Sequence, residues 1–109
     1  MNQLALNLAV SRARRDAGIA RTMDAESDAW KASALDGLRR YALLHNTFTM
    51  EAFRYDWMAS GREPPHDHHV WGGLAHAARA AGIIEATGDY RKAASPGTHA
   101  HPVAVWRRA

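Results

Sequence analysis

Residues 82–106, GIIEATGDYRKAASPGTHAHPVAVW, contain the pattern that decides the fold. Two runs of β-prone residues, IIEAT and PVAVW, flank a polar segment, and this arrangement predicts a β-hairpin. The predicted loop opens at Gly88-Asp89 and turns at Pro96-Gly97, because both dipeptides favour turns. Such a hairpin can be a plain surface turn, a basic arm that lies on nucleic acid, or a metal site made by His99 and His101.

Length and composition indicate one soluble domain. The chain has 109 residues, of which 47% are apolar and 23% charged, which is typical of a globular protein with a single modest core. No apolar run approaches the roughly 20 residues that a membrane span needs. The N-terminal charges follow the apolar residues, which is the wrong order for a secretory signal. Since cysteine is absent, we expect no disulfide framework, and we predict a cytoplasmic protein.

The charge of the chain favours an anionic partner. The formal net charge is +3 and the sequence pI is about 9.8, with the positive charge concentrated at the two ends. The densest basic run, RARRDAGIAR, overlaps a predicted helix over residues 3–18 and contains Arg12, Arg14 and Arg15. This helix can be an arm along the DNA backbone, a helix packed on the body, or the interface of a homodimer. We assign residues 1–27 to this helix and a connector, and residues 28–109 to the main domain.

The main domain begins with a helix predicted over about residues 28–45. Ser27 or Asp28 can accept hydrogen bonds from the free amides of its first turn. The spacing of its apolar residues gives one buried stripe. The segment HNTFT then interrupts this spacing, which indicates a short extended segment with Phe48 turned inward.

Two further helices are predicted before the hairpin. The first has Thr49 as its N-cap and Gly61 as its stop. The second has Asp67 as its cap, extends to about Ala81, and ends at Gly82. Large aromatic residues are numerous enough to dominate so small a core. The predicted core aromatics are Trp30, Tyr41, Phe48, Phe53, Trp57, Trp71 and Trp106.

The order of these elements is that of a winged helix-turn-helix. The predicted fold class is α+β, mainly α: three core helices and a small antiparallel β-sheet, preceded by an extra N-terminal helix. The sheet would consist of the two hairpin strands and the TFT segment, residues 47–49. The hairpin loop would then be the wing of the domain.

Three segments resemble small winged-helix proteins that bacteriophages and prophages encode. They are FTMEAFRYDW at residues 48–57, PPHDHHVWGGLAHAARAAGIIEATGDYRK at 64–92 and HAHPVAVWR at 99–107. The resemblance implies the winged-helix fold, a bacterial host cell and often a place near phage replication genes. It leaves the partner open, because a similar module is a partner-binding tail in eukaryotic single-strand-binding protein.

A winged helix would present the outer face of the helix over residues 67–81 to the major groove. That face includes two glycines, Gly72 and Gly73, which would permit close approach to DNA. The predicted nucleic-acid-binding residues are His69, His76 and Arg79 on this helix, Tyr90, Arg91 and Lys92 in the hairpin loop, and Arg12, Arg14 and Arg15 near the N-terminus. The cations would contact phosphates and Tyr90 would stack on a base or sugar. Each of these surfaces can equally be a solvated face whose charges serve solubility.

Five histidines suggest a zinc site, and they include two His-x-His pairs. They are His66, His68, His69, His99 and His101. Zinc prefers four ligands in tetrahedral geometry, and the chain has no cysteine to supply one. Because the two pairs lie in segments that need not meet, we interpret these histidines as surface or capping residues. We predict no metal and no cofactor.

The sequence contains no catalytic constellation, so we predict that the chain is not an enzyme. There is no Gly-rich phosphate loop, no His-Glu-x-x-His and no close carboxylate pair. The rival to DNA binding is a protein-interaction module, an adaptor or inhibitor of a host or phage protein. The acidic middle of the chain and the single arginine of the candidate recognition helix favour it. Tyr55 and Met58 are candidate contacts for such a partner.

Overall fold

The computed structural model describes residues 26–94 and 101–109. They form three helices followed by an antiparallel hairpin: α1 (Asp28–Leu44), α2 (Met50–Ala59), α3 (Val70–Ala80), β1 (Ile84–Lys92) and β2 (Pro102–Arg108). This order is compatible with the predicted winged helix. Several predictions fall outside the described residues. They are the helix over residues 3–18, the dimer interface suggested for it, the turn at Pro96-Gly97, and the roles of Arg12, Arg14, Arg15 and His99. In the described part of the chain, no helix has the length and apolar character to cross a membrane.

Side chains and glycines fix the helix ends near the predicted positions. The Ser27 hydroxyl accepts a hydrogen bond from the backbone amide three residues later at 3.1 Å, and Thr49 does the same at 3.2 Å. Each bond satisfies one amide that a helix N-terminus leaves free. After α2 and α3, Gly61 and Gly82 adopt φ angles of 73° and 74°, a left-handed conformation that glycine adopts without a steric cost.

The pairing of the hairpin strands extends past the predicted opening of the loop. β1 and β2 pair in antiparallel register from Ile84 to Lys92. The backbone amide of Ala93 then donates to the carbonyl of His101 at 2.9 Å, which continues the pairing beyond the strand ends. The prediction that the loop begins at Gly88-Asp89 is therefore wrong.

Gly88-Asp89 belongs to a β-bulge instead. The register of β1 against β2 shifts between Ala86 and Tyr90, and Gly88 has a φ of 88°. The Thr87 hydroxyl donates to the Val105 carbonyl at 3.0 Å, which ties the bulged strand to its partner. A bulge inserts residues into one strand and bends it without ending the pairing, so a turn-like dipeptide can lie inside a strand.

The segment between α1 and α2 makes a single bridge to the hairpin. The Phe48 amide donates to the Trp106 carbonyl at 3.0 Å, and the Trp106 amide donates to the Phe48 carbonyl at 2.8 Å. The predicted third strand is thus reduced to one bridged residue beside a two-stranded sheet. Phe48 is buried, as predicted, so the bridge also fixes an aromatic side chain in the core.

Tryptophan side chains from all three helices meet in the core. Trp30 of α1 lies edge-to-face against Trp57 of α2 and Trp71 of α3, with ring centroids 5.9 Å apart in both pairs. This geometry brings the positive edge of one ring to the negative face of the next. The aromatic residues predicted for the core are all buried except Tyr41 and Trp106, which are half-buried against it.

The connector between α2 and α3 is held by hydrogen bonds on two sides. The indole Nε1 groups of Trp30 and Trp57 both donate to the Glu63 carbonyl, at 2.9 and 2.8 Å. The backbone amide of His66 donates to Oε1 of the buried Glu26 at 2.7 Å. A buried indole N–H needs an acceptor, so the core and the connector stabilise each other. The start of α3 is fixed in space although the connector is longer than a tight turn.

Candidate nucleic-acid interface

α3 has a wide buried face and a narrow exposed one. Its buried residues are Val70, Trp71, Gly73, Leu74, Ala75 and Ala78. The exposed face carries Gly72, His76 and Arg79 at helical spacing, and α3 contains no acidic residue. The prediction that Gly73 faces outward is wrong, because α1, α2 and β1 all pack on α3 and widen its buried face.

The segment before α3 places a carboxylate near the first turn of the helix. Oδ1 of Asp67 accepts a hydrogen bond from the His69 backbone amide at 2.9 Å and lies 2.8 Å from His69 Nδ1. The backbone bond, and then the side-chain bond, lower the pKa of the Asp67 carboxyl, which is therefore ionised. Asp67 was predicted as the N-cap, but His69 occupies that position without a side-chain capping bond, and the helix begins later, at Val70.

The hairpin residues predicted to contact nucleic acid lie on β1 rather than in a loop. Tyr90 is 69% exposed, so its ring is available to a partner. Nη2 of Arg91 donates to the Thr47 hydroxyl at 2.8 Å, which directs the guanidinium toward the segment between α1 and α2. Neither Arg91 nor Lys92 forms an ion pair within the described residues.

A groove of about 810 Å³, here called the hairpin groove, separates β1 from the end of α1 and the outer face of α2. Its lining includes Tyr41, Tyr55, Met58, Arg54, Arg91, Lys92, Glu51 and Asp56. Burial, and secondarily the Asp56 carboxylate, raise the pKa of Tyr41, so its phenol stays a neutral hydrogen-bond donor. The hairpin groove therefore combines exposed apolar surface with charges of both signs.

Five of the six predicted nucleic-acid-binding residues that the structure describes fall on two surfaces, and Tyr90 is exposed on β1 outside the lining of the hairpin groove. His69, His76 and Arg79 follow α3 along its exposed side. Arg91 and Lys92 line the hairpin groove. The direction of the Arg91 side chain follows from its bond to Thr47, which the sequence does not reveal.

A cluster that sequence reasoning missed lies directly before α3. Oδ1 of Asp67 is 2.8 Å from Nδ1 of His69 and 3.8 Å from Nδ1 of His68, and the two imidazole centroids are 4.0 Å apart. Among the described residues, these three form the one group of potential ligands that could hold a metal ion. The His-x-His spacing favoured His66 with His68, but that pairing needs a strand, and this segment is a turn. The sequence signal that could have revealed this cluster is the run Asp67-His68-His69.

Comparison with models of known protein families, with curated proteins and with solved structures gives no match to this chain. Inferences about its function therefore depend on its own residues and geometry.

Proposed function

We propose that the chain is a non-enzymatic winged-helix protein of the phage or prophage type that binds DNA through α3 and the basic hairpin. In this arrangement, α3 is the recognition helix and the hairpin is the wing. The order of three helices followed by an antiparallel hairpin supports this assignment. So does the bridge from Phe48 to Trp106, which attaches the segment between α1 and α2 to the second hairpin strand.

The exposed face of α3 is the observation that carries the proposal. A helix that enters the major groove needs an accessible face with donors and without negative charge. Gly72, His76 and Arg79 provide such a face, because the glycine adds no side chain and the other two supply donors. The core holds the opposite face of the helix, so this surface is presented at a fixed orientation.

The hairpin adds two cations and an exposed aromatic ring. Arg91 and Lys92 supply two positive charges for phosphate contacts, and Tyr90 can stack on a base or sugar. Because β1 is paired with β2 as far as Lys92, these side chains start from a fixed backbone. An ordered backbone lowers the entropy that binding would otherwise cost.

Substituting Arg79 with alanine should weaken the binding of duplex DNA about tenfold at low salt, since one cation at the proposed interface is lost. Fluorescence anisotropy with a labelled duplex measures the affinity. Arg40→Ala is the matched control, because Arg40 is an exposed arginine on α1, 3.2 Å from its ion-pair partner Asp36. An equal loss for both variants would show that α3 is not the contact surface, and no binding by the unaltered chain would overturn the proposal.

The hairpin groove supports a second candidate function, a protein-interaction module. Tyr55 is 77% exposed and Met58 50% exposed, and both line the groove. Adjacent exposed apolar side chains in a concave surface are typical of a contact site for a partner.

The double substitution Tyr55→Ala, Met58→Ala distinguishes the two functions. If the groove holds a protein, a partner captured from nuclease-treated host-cell lysate should be lost with this variant, while affinity for duplex DNA is unchanged. Mass spectrometry of the captured proteins gives the comparison. A partner that remains bound to the double variant would exclude the groove as its site.

A further inference from the structure

We propose that Asp67, His68 and His69 form a binding site for a divalent transition-metal ion, with Zn²⁺ as the reference ion, immediately before α3. The site itself is independent of the proposed function. Its expected consequence, tighter DNA binding when the metal is present, rests on that function.

The three ligand atoms already have nearly the spacing that tetrahedral zinc requires. With metal–ligand bonds of about 2.0–2.2 Å, neighbouring ligands of a tetrahedral zinc lie roughly 3.4 Å apart. Here the Asp67 oxygen lies 2.8 Å from His69 Nδ1 and 3.8 Å from His68 Nδ1, which bracket that value. All three ligand atoms lie within 4.8 Å of one another. All three side chains are exposed, so they are free to adjust to the bond lengths of a bound ion.

The donor set selects the class of metal. Two imidazole nitrogens and one carboxylate oxygen suit zinc and its neighbours in the first transition row, whereas Mg²⁺ and Ca²⁺ prefer oxygen ligands alone. Three protein ligands leave the fourth position to water.

Metal binding would add positive charge at the start of α3. Without a metal, the Asp67 carboxylate at this place opposes the approach of a phosphate. A divalent cation adds two positive charges, so the same place becomes attractive to DNA. The change occurs beside the exposed face that carries His76 and Arg79, and it would strengthen binding there.

Isothermal titration of the tag-free full chain with Zn²⁺ at near-neutral pH tests the site. We expect a single site per chain, and a loss of affinity of at least about tenfold for His68→Ala, His69→Ala or Asp67→Ala, since even a second-shell change has an effect of this size. His76→Ala is the matched control, because His76 is an exposed histidine of α3 outside the cluster. Circular dichroism of each variant confirms that it is folded.

The site is overturned if the chain does not bind Zn²⁺, if the cluster variants bind as tightly as His76→Ala, or if Mg²⁺ binds as tightly as Zn²⁺. Anisotropy with duplex DNA, in Zn²⁺ and then in chelator, tests the consequence separately. Zinc binding without any affinity for DNA would establish the site and overturn the proposed function. DNA binding without a zinc signal in the calorimeter would support the proposed function and overturn the zinc site.

Discussion

Replacing Trp57 with alanine is expected to lower the free energy of unfolding by about 3–5 kcal/mol, the usual range for a buried large aromatic residue. Trp57 is 2% exposed and contacts Trp30, Trp71 and Phe53, so the cavity left by its side chain cannot be filled by one neighbour. The Glu63 carbonyl also loses one of its two indole donors. Domains of this size are stable by only about 5–15 kcal/mol, so this variant should be marginally folded. Urea unfolding followed by far-UV circular dichroism gives the change.

Two further substitutions calibrate this loss. Trp57→Phe retains an aromatic ring but loses the N–H and part of the buried ring volume, so we expect a smaller but clear decrease in stability. Tyr55→Ala on the same helix should change the stability by less than about 0.5 kcal/mol, because Tyr55 is exposed and makes no core contact. If Trp57→Ala destabilised the chain no more than Tyr55→Ala, the tryptophan core described above would be wrong.

The affinity for duplex DNA should fall steeply as salt is added. Three phosphate contacts, from Arg79, Arg91 and Lys92, correspond to a slope of about −2.7 in log affinity against log salt, or about a 40-fold loss between about 50 mM and about 200 mM salt. The loss arises because each neutralised phosphate releases condensed counterions. Anisotropy titrations at several salt concentrations measure the slope.

Variants assign this slope to individual residues. Lys92→Ala should make the slope shallower by about 0.9, since one phosphate contact is removed. Arg40→Ala on α1 should leave the slope unchanged. An affinity that is indifferent to salt would exclude phosphate contacts as the basis of binding and would favour the protein-interaction function of the hairpin groove.

Local signals made the helices predictable. Ser27, Thr49, Gly61 and Gly82 act within one turn of the helix that they begin or end, so their roles can be inferred from neighbouring residues alone. The inward direction of Phe48 followed in the same way from the break in helical spacing. The residue order was thus sufficient to infer three helices followed by a hairpin.

The β-bulge, the burial of Gly73 and the cluster of Asp67, His68 and His69 depend on tertiary structure that local sequence signals do not specify. Gly88-Asp89 has the composition of a turn, and only the pairing of residues 90–92 with residues 102–104 shows that the strand continues. The burial of Gly73 could not be inferred from helical spacing, because it depends on how many elements pack on α3. Likewise, the convergence of His68 and His69 on Asp67 depends on the turn that precedes the helix.

The shared carbonyl of Glu63 has a consequence for how related chains could diverge. Its two donors, Trp30 and Trp57, contact a backbone atom, and every amino acid offers the same oxygen at that position. Drift of the side chain at position 63 would therefore be neutral for this anchor. Exchange of either tryptophan would not be neutral, because no other side chain reaches the same oxygen with an N–H on so large an apolar ring. We expect homologous sequences to vary at 63 and to retain tryptophan at 30 and 57 together.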